Sequence, residues 1–226
     1  CITAARERRL GETIAVVDLG AGTLDISLVE VGDQVYDVLA VGGDNQFGGK
    51  DLDTAITQAL TARLERQGIA VPKSGSVRRR LEIAAESLKV DLSAQEHATY
   101  DLVSFHAGGD VRLELSRTEL ASVLAGTLTT LREACAGFLS SAPQGPKHLV
   151  LVGRPMLSPL VRETVEQAFG VPRTVVSDPR TAVAAGAALL GAMRDGSLDD
   201  VLLLDVTPLA LGIRIVDEHD KQHMSE

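Results

Sequence analysis

A turn rich in glycine and carboxylates constrains the fold of this chain more than any other segment. Residues 18–25 read Asp-Leu-Gly-Ala-Gly-Thr-Leu-Asp and lie between two runs of β-branched residues. A second turn of this kind, with Gly-Gly-Asp at 42–44 and Gly-Gly at 48–49, ends the next β-type run. Small residues let backbone N–H groups approach phosphate oxygens, and one or two carboxylates suffice to hold hydrated magnesium. The two turns therefore predict a magnesium–phosphate site at the ends of strands.

Sequence periodicity predicts the order of elements around these turns. Residues 13–19, 24–31 and 35–41 are typical of three consecutive antiparallel strands. A helical period then begins at Asp51 and ends at Gly68, and after a loop at 74–76 a second helix and a hairpin follow. These two helices and the hairpin separate the first three strands from the rest of the chain.

The second half of the chain alternates between helices and strands. Ser116 and Glu119 predict a capping box at the start of a long helix that ends before Pro143. The later elements are strands at 148–152 and 174–176, helices at 160–169 and 181–193, and a final apolar run at 201–204. The predicted fold class is α/β, a mixed sheet with helices, with a smaller α+β subdomain inserted at 50–115.

Composition limits the class of partner. The 226-residue chain has a formal net charge of −9, which argues against broad electrostatic attraction to nucleic acid or to an anionic membrane. No run of about 18 apolar residues is present to span a membrane, and no signal segment opens the sequence. The two cysteines, Cys1 and Cys135, lack metal-ligand spacing, so we expect a reducing, cytoplasmic environment and buried packing for Cys135.

Six segments occur in an order that resembles a known family, the 70-kDa heat-shock chaperones of the DnaK type. These belong to the actin-like, ribonuclease-H-like ATPases, and the chain resembles the second lobe (lobe II) of their nucleotide-binding domain. The segments are residues 17–25, 48–53, 86–93, 149–153, 178–188 and 200–213. The last resembles the linker between the ATPase and peptide-binding domains, and its candidate residues are Leu202, Leu203, Leu204 and Asp205.

The resemblance implies a division of the chain and a set of partners. The ribonuclease-H-like core subdomain would comprise 1–49 and 116–198, the inserted subdomain 50–115, the linker 199–213 and a tail 214–226. Lobe I and a peptide-binding domain would belong to the same parent protein. J-domain and nucleotide-exchange co-chaperones would be separate partners, the latter on the inserted subdomain. In the parent protein, ATP hydrolysis would drive the capture and release of unfolded peptides.

The resemblance also implies roles toward ATP or ADP and Mg²⁺. Asp18 and Thr23 are the candidate catalytic residues, with Asp18 holding magnesium through water and Thr23 near the attacking water. The implied nucleotide-binding residues are Gly20, Ala21, Gly22, Thr23, Gly48, Gly49, Glu86, Lys89, Ser93, Gly153, Arg154 and Leu157. The glycine turns would face the phosphates, residues 86–93 would line the adenosine, and Gly153 would lie beneath the base and ribose. Glu86 and Lys89 are also spaced as an ordinary helix-surface pair.

Several residues at that site depart from the family pattern. They are Ala21, Lys50, Val90, Arg154, Leu157 and Arg180. Ala21 replaces a third glycine, which would cost about 1 kcal/mol if that position needs a positive φ. Leu157 stands where the family has an arginine that packs on the adenine, a change worth on the order of 1 kcal/mol of binding. The departures concentrate on the adenine side and predict weakened or altered nucleotide recognition.

We therefore predict lobe II of a divergent chaperone ATPase that supplies one side of the Mg-ATP site. It is not expected to hydrolyse ATP alone, because phosphoryl transfer needs positioned charges on both sides of the phosphate. The first nine residues resemble the end of a helix from a longer protein. Two alternatives stay open: a degenerate protein-interaction scaffold that no longer reads nucleotide, and a different actin-like ATPase such as a sugar kinase or a filament-forming protein.

Overall fold

Three antiparallel strands open the described part of the chain. The computed structural model describes residues 10–33, 35–72, 74–106, 109–174, 178–197 and 202–204. β1 (Thr13–Leu19) pairs antiparallel with β2 (Leu24–Val31), and β2 pairs antiparallel with β3 (Val35–Asp44). The three predicted strands are confirmed. β3 is longer than predicted because residues 42–44 continue the ladder opposite the start of β2.

Two helices and a hairpin follow β3. They are α1 (Gly49–Arg66), α2 (Gly75–Asp91), β4 (His97–His106) and β5 (Gly109–Ser116). β4 and β5 form a separate two-stranded antiparallel sheet. This order agrees with an insertion between the first three strands and the later elements. The subdomain boundaries at residues 49/50 and 115/116 stay a prediction.

The start of α2 differs from the prediction of a loop at 74–76. The Ser74 hydroxyl accepts a hydrogen bond from the Val77 amide at 3.3 Å, so Ser74 is the N-cap and the helix already begins at Gly75. A serine that caps a helix and a serine in a loop have the same local sequence signature, because both use the hydroxyl to bond nearby backbone. The loop prediction is therefore wrong for residues 75 and 76.

The remaining elements return the chain to the first sheet. They are α3 (Arg117–Ser141), β6 (His148–Val152), a 3-10 helix (Arg154–Leu157), α4 (Pro159–Phe169), β7 (Arg173–Thr174), α5 (Ala182–Arg194) and β8 (Leu202–Leu204). The predicted capping box at the start of α3 is confirmed. Among the described elements of this half of the chain, the 3-10 helix was not predicted from periodicity. Of the predicted strand at 174–176, residues 175 and 176 lie outside the described residues.

The completed sheet is mixed, which confirms the predicted α/β class. Its strand order is β7-β6-β1-β2-β3-β8. β6 runs parallel to β1, and β8 runs parallel to β3 at the opposite edge. Because β1 and β6 are parallel neighbours, their carboxyl ends meet at one edge of the sheet, and both glycine-rich segments that follow them lie there.

Apolar side chains cover both faces of the sheet. On one face a single large cluster joins β1, β2 and β6 to α1, α2, α3, α4 and the hairpin. On the other face a smaller cluster around Val16, Val29 and Val150 packs against residues of α5. Cys135 lies in the larger cluster, as predicted, and burial raises the pKa of its thiol to about 12. Among the described helices, none combines the length and the apolar composition that a membrane crossing requires.

Candidate functional site

The turn between β1 and β2 forms the centre of the candidate site. The Gly20 amide donates to the Thr23 carbonyl at 2.8 Å and closes a tight turn. The amides of residues 21–23 donate to no backbone carbonyl in the described part of the chain. Ala21 does not have a positive φ, so the strain that an alanine would suffer there does not arise. The turn therefore presents N–H groups that have no acceptor among the described residues.

The start of α1 is fixed to this turn. The Gly49 amide donates to the Gly20 carbonyl at 3.0 Å, and the Lys50 amide donates to the Ala21 carbonyl at 2.8 Å. A Cβ atom added to Gly48 would lie 2.5 Å from the Gly22 amide nitrogen, well inside contact distance. Only glycine fits at this position, and its absence of a side chain brings the two predicted glycine segments into direct contact.

Gly153 brings a third glycine to the same edge. It follows β6, has φ of 97°, and a Cβ atom there would lie 2.0 Å from the Leu19 carbonyl oxygen. The same position is 3.1 Å from Oδ1 of Asp18. The close approach of the two strand ends therefore places the end of β6 against the carboxylate of Asp18.

Asp18 and its cross-strand neighbour Asp25 place two carboxylates at this end of the sheet. Asp18 is directly opposite Asp25 in the β1–β2 ladder and is half-buried. Burial raises the pKa of Asp18 above its usual range, and the neighbouring charge of Asp25 raises that pKa further. A desolvated carboxylate beside a second one is stabilised by a bound cation. No cluster of three or more metal-binding side chains occurs among the described residues. The carboxylates of Asp18 and Asp25 are oxygen donors of the kind that hold hydrated magnesium.

A cleft of about 930 Å³ opens beside the turn. Eight of the residues predicted to bind nucleotide line it: Gly20, Ala21, Gly49, Glu86, Lys89, Ser93, Arg154 and Leu157. The other predicted residues, Asp18, Gly22, Thr23, Gly48 and Gly153, are not part of its lining. Of these, Gly22 and Gly48 contact each other at the turn, and Gly153 lies against Asp18. The Thr23 hydroxyl lies 3.4 Å from the point where a Gly20 Cβ would be.

The floor of the cleft contains a close ion pair between α1 and α2. Lys89 Nζ lies 2.6 Å from Oδ1 of Asp53, and their side chains are 12% and 21% exposed. Burial raises the pKa of Asp53, the Lys89 hydrogen bond and charge oppose that rise, and Glu86 adds to it. The Ser93 hydroxyl donates to the Lys89 carbonyl at 3.1 Å. The Lys89 ammonium is therefore fixed by its ion pair with Asp53. The Glu86 carboxylate has no hydrogen-bond partner within the described residues.

Sequence reasoning missed several residues of the cleft. They are Asp53, Thr54, Arg79, Glu82, Ala94, Pro155 and Ser158. Asp53 lies within the glycine–acid segment that resembles the family, so its position there was an available signal. Arg79 and Glu82 are an ordinary exposed pair, spaced i and i+3 along α2, with 3.3 Å between charged atoms. Their place in a cleft depends on how α2 packs against α1, which local spacing does not encode.

All six positions that depart from the family pattern line the cleft. Val90 and Leu157 are 48% and 41% exposed, and both line the cleft. Arg180 is held by Asp178 through paired hydrogen bonds of 2.9 and 3.0 Å. Lys50 and Arg154 also line the cleft, and neither has a hydrogen-bonded side chain or an ion pair within the described residues.

Three of the predicted linker residues form the outermost strand of the sheet, next to β3. Leu202, Leu203 and Leu204 form β8, whose register pairs Leu203 with Tyr36 of β3. Asp205 lies outside the described residues, as do residues 199–201 of the predicted linker and the predicted tail. The apolar run is therefore a strand added in parallel to the edge of the core sheet.

Comparison with known proteins supports one family. The sequence profile of the Hsp70 protein family matches residues 6–226. The chain is 36% identical over 211 residues to the mitochondrial-type heat shock protein 70 of Encephalitozoon hellem, covering 90% of the chain and 36% of that protein. It is 36% identical over 213 residues to the chaperone protein DnaK of Trichormus variabilis, covering 91% and 31%.

A further relative is the chaperone protein dnaK3 of Thermosynechococcus vestitus, 37% identical over 218 residues, with 93% of the chain and 32% of that protein covered. The chain thus spans about a third of the length of the curated relatives it matches. The match of the family profile over nearly all of the chain, together with this identity, shows that the chain belongs to the Hsp70 family of chaperones.

Proposed function

We propose that this chain is lobe II of the nucleotide-binding domain of an Hsp70 chaperone, contributing one side of a Mg-ATP or Mg-ADP site and a linker that responds to it. The observation that carries the proposal is the single cleft lined by eight of the predicted residues from four separate parts of the chain. Residues that are distant in sequence meet there only because α1, α2 and the end of β6 converge on the β1–β2 turn.

On the phosphate side, the chain supplies backbone amides and a carboxylate. The amides of residues 21–23, which find no acceptor in the described part of the chain, are suited to phosphate oxygens. Asp18 is suited to water on a phosphate-bound magnesium ion. Bound magnesium would screen the negative charge of the phosphates. Asp18 would then be held ionised, because a neighbouring cation offsets both the burial and the repulsion from Asp25 that raise its pKa.

On the adenosine side, α2 supplies the polar groups. Glu86 is suited to accept hydrogen bonds from ribose hydroxyls because its carboxylate has no hydrogen-bond partner in the described part of the chain. The Lys89 ammonium donates to Asp53, and the Ser93 hydroxyl donates to the Lys89 carbonyl. These two hydrogen bonds fix the side of the cleft that α2 forms. Leu157 and Val90 offer aliphatic surface where the family presents basic side chains.

We infer that this lobe does not hydrolyse ATP by itself. Phosphoryl transfer requires charges positioned on both sides of the transferred group. Asp18 and Thr23 with the turn amides act from one side, and a second lobe would face them across the phosphates. J-domain and nucleotide-exchange co-chaperones are the proposed partners of the parent protein, with peptide capture coupled to the site through β8. A cytoplasmic location remains a prediction.

Isothermal titration calorimetry with Mg-ADP and Mg-ATP tests the nucleotide site. We expect binding in the micromolar to low-millimolar range, weakened about tenfold or more by Asp18→Ala. Asp101→Ala is the matched control, because Asp101 is an exposed aspartate on the distant hairpin and pairs with Arg112. Absence of binding to a folded sample would contradict the proposal.

The second candidate function is a protein-interaction scaffold that has lost nucleotide binding. The exposure of Leu157 and Val90 in the cleft favours it, because two exposed aliphatic side chains are a poor substitute for stacking cations around a base. Under this alternative, neither ADP nor ATP would bind in the calorimeter, whereas the folded chain would still present β8 at the sheet edge. The family assignment favours both candidates over a sugar kinase or a filament-forming protein.

A further inference from the structure

At the start of α1, beside the β1–β2 turn, the amides of residues 48–51 are already hydrogen-bonded and cannot be offered to an anion. The amides of Gly49 and Lys50 donate to the turn carbonyls, and the Asp51 amide donates to the Gly48 carbonyl at 3.1 Å. The Gly48 amide donates to Oδ2 of Asp51 at 2.8 Å. An isolated helix start binds anions through such amides, but here they are already satisfied. Anion binding on this wall must therefore come from side chains.

Two cationic side chains of the cleft form no ion pair within the described residues. The cleft contains five cations, and three of them have carboxylate partners: Arg79 with Glu82, Lys89 with Asp53, and Arg180 with Asp178. Lys50 and Arg154 have no such partner within the described residues. In a chain with a formal net charge of −9, two unpaired cations in one cleft are not explained by an excess of basic residues.

Packing of α1 against the 3-10 helix brings the backbone segments that carry these two cations into contact. A Cβ atom added to Gly49 would lie 3.1 Å from Cγ of Pro155, so the start of α1 is in contact with the 3-10 helix. Lys50 follows Gly49, and Arg154 precedes Pro155. The two residues therefore flank one contact between α1 and the 3-10 helix. Both line the cleft that Gly20 and Ala21 also line, and the Lys50 amide is bonded to the Ala21 carbonyl. The unpaired carboxylate of the cleft, Glu86, is on α2 near the Asp53–Lys89 pair.

We propose that Lys50 and Arg154 form a cation pair that binds the phosphate chain of the nucleotide, so that affinity comes from the polyphosphate more than from the base. This inference rests on the proposed function and adds a specificity to it. A planar guanidinium binds phosphate in two-point fashion and an ammonium acts as a point charge, so together they suit a flexible polyphosphate. The aliphatic Leu157 and Val90 at the base end add contact area without reading hydrogen bonds.

Titration of inorganic tripolyphosphate, Mg-ADP and adenosine onto the full chain tests the proposal. We expect Lys50→Gln/Arg154→Gln to weaken tripolyphosphate and ADP binding about 10- to 100-fold, while adenosine binding changes less than about twofold. The matched control is Arg132→Gln/Lys147→Gln, which removes the same charge from two exposed positions outside the cleft. Circular dichroism of each variant checks that it is folded.

The outcomes separate this inference from the proposed function. Loss of tripolyphosphate and ADP binding in the cleft variant, with the control unchanged, supports the cation pair. ADP binding that falls with Asp18→Ala but not with Lys50→Gln/Arg154→Gln overturns the pair and leaves the nucleotide site standing. Tripolyphosphate binding without ADP binding keeps an anion site at the pair and overturns the nucleotide site. Equal weakening in the control shows general electrostatics, and absence of all binding overturns both.

Discussion

At Gly153 the chain leaves β6 with φ of 97° and ψ of 151°, against the Leu19 carbonyl. This conformation is open to glycine and strained for any other residue. The close approach also sets the position of Asp18, because both lie where β1 and β6 end. The geometry of the site at the residue scale thus depends on one position that has no side chain.

Gly153→Ala should lower the free energy of unfolding by at least about 2 kcal/mol, since strain and a steric clash with Leu19 combine. Gly170→Ala is the control: Gly170 also has a positive φ, 64°, but a Cβ there meets nothing within 4 Å. That control should cost only about 1 kcal/mol. Urea unfolding followed by circular dichroism measures both, and equal losses would contradict the clash.

Asp18→Asn should raise the free energy of unfolding at pH 7 in the absence of magnesium. Because the folded-state pKa of Asp18 is raised, the native chain holds this proton more tightly than the unfolded chain, and stability falls as pH rises through and above about 4. The advantage of the variant should therefore vanish at about pH 3. Unfolding measured from pH 3 to pH 7 checks this.

Asp101→Asn is the control of opposite sign for that series. The hydrogen bond from Arg112 lowers the pKa of Asp101, so its contribution to stability is present above about pH 4 and is lost below it. This variant should be less stable than the wild type at pH 7 and match it at low pH. If Asp18→Asn also destabilised the protein at pH 7, the argument from burial and repulsion would be wrong.

At the residue scale, the sequence predicted the glycine turns, but it did not predict backbone strain or ion pairing at the site. The motif around Asp18 and Gly20 indicated which residues are candidates for a phosphate site, because the chemistry of such a site depends on residue types close in sequence. Whether Ala21 would be strained depended on its φ, which the sequence motif alone did not determine. Likewise, the pairing of Asp53 with Lys89 depends on how α1 packs against α2, and no local pattern encodes that contact.

At the scale of single elements, local signals decided most boundaries. Capping residues and glycines marked the helix ends correctly at Ser116 and Gly170, where side-chain or left-handed caps act within a few residues. The 3-10 helix after β6 escaped because one short turn has no periodicity to detect. Ser74 shows the same limit, since its capping role required knowing that Gly75 is already helical.

Ser116→Ala should destabilise the protein by about 1 kcal/mol through loss of the α3 cap. The Ser116 hydroxyl accepts from the Glu119 amide at 3.2 Å, and the Glu119 carboxylate accepts from the Ser116 amide at 2.8 Å. Ser140→Ala on the same helix is the control, because that exposed hydroxyl only donates to the Ala136 carbonyl, and its loss should cost less than about 0.5 kcal/mol. Thermal unfolding of both variants gives the comparison.

At the scale of the whole molecule, one apolar cluster spans the core sheet and the inserted elements. Leu19 and Leu151 of the sheet, Leu60 of α1, Leu88 of α2 and Leu113 of the hairpin all belong to it. A continuous buried cluster opposes independent unfolding of its parts. The two subdomains proposed from sequence are therefore expected to share one unfolding transition.

Single-tyrosine variants test this cooperativity. The chain has no tryptophan and two tyrosines, Tyr36 in β3 and Tyr100 in β4, so Tyr36→Phe reports only on the hairpin and Tyr100→Phe only on the sheet. In each variant, the urea midpoint from tyrosine fluorescence should equal the midpoint from circular dichroism. A hairpin signal that is lost at lower urea than the helical signal would show that the insertion unfolds separately.

The attachment of α1 at both ends makes it a lever. Its first residues are bonded to the β1–β2 turn, and near its other end the Arg63 guanidinium donates to the Glu114 carbonyl of β5 at 2.8 Å. The helix between these two anchors is about 20 Å long. A molecule that binds the hairpin and shifts it would therefore also shift the β1–β2 turn, because the helix connects them. In the same way, a ligand that displaces the turn would move the hairpin. Because Leu52, Ile56, Leu60 and Leu64 of α1 belong to the large apolar cluster, any such displacement of the helix also moves the core residues packed against it.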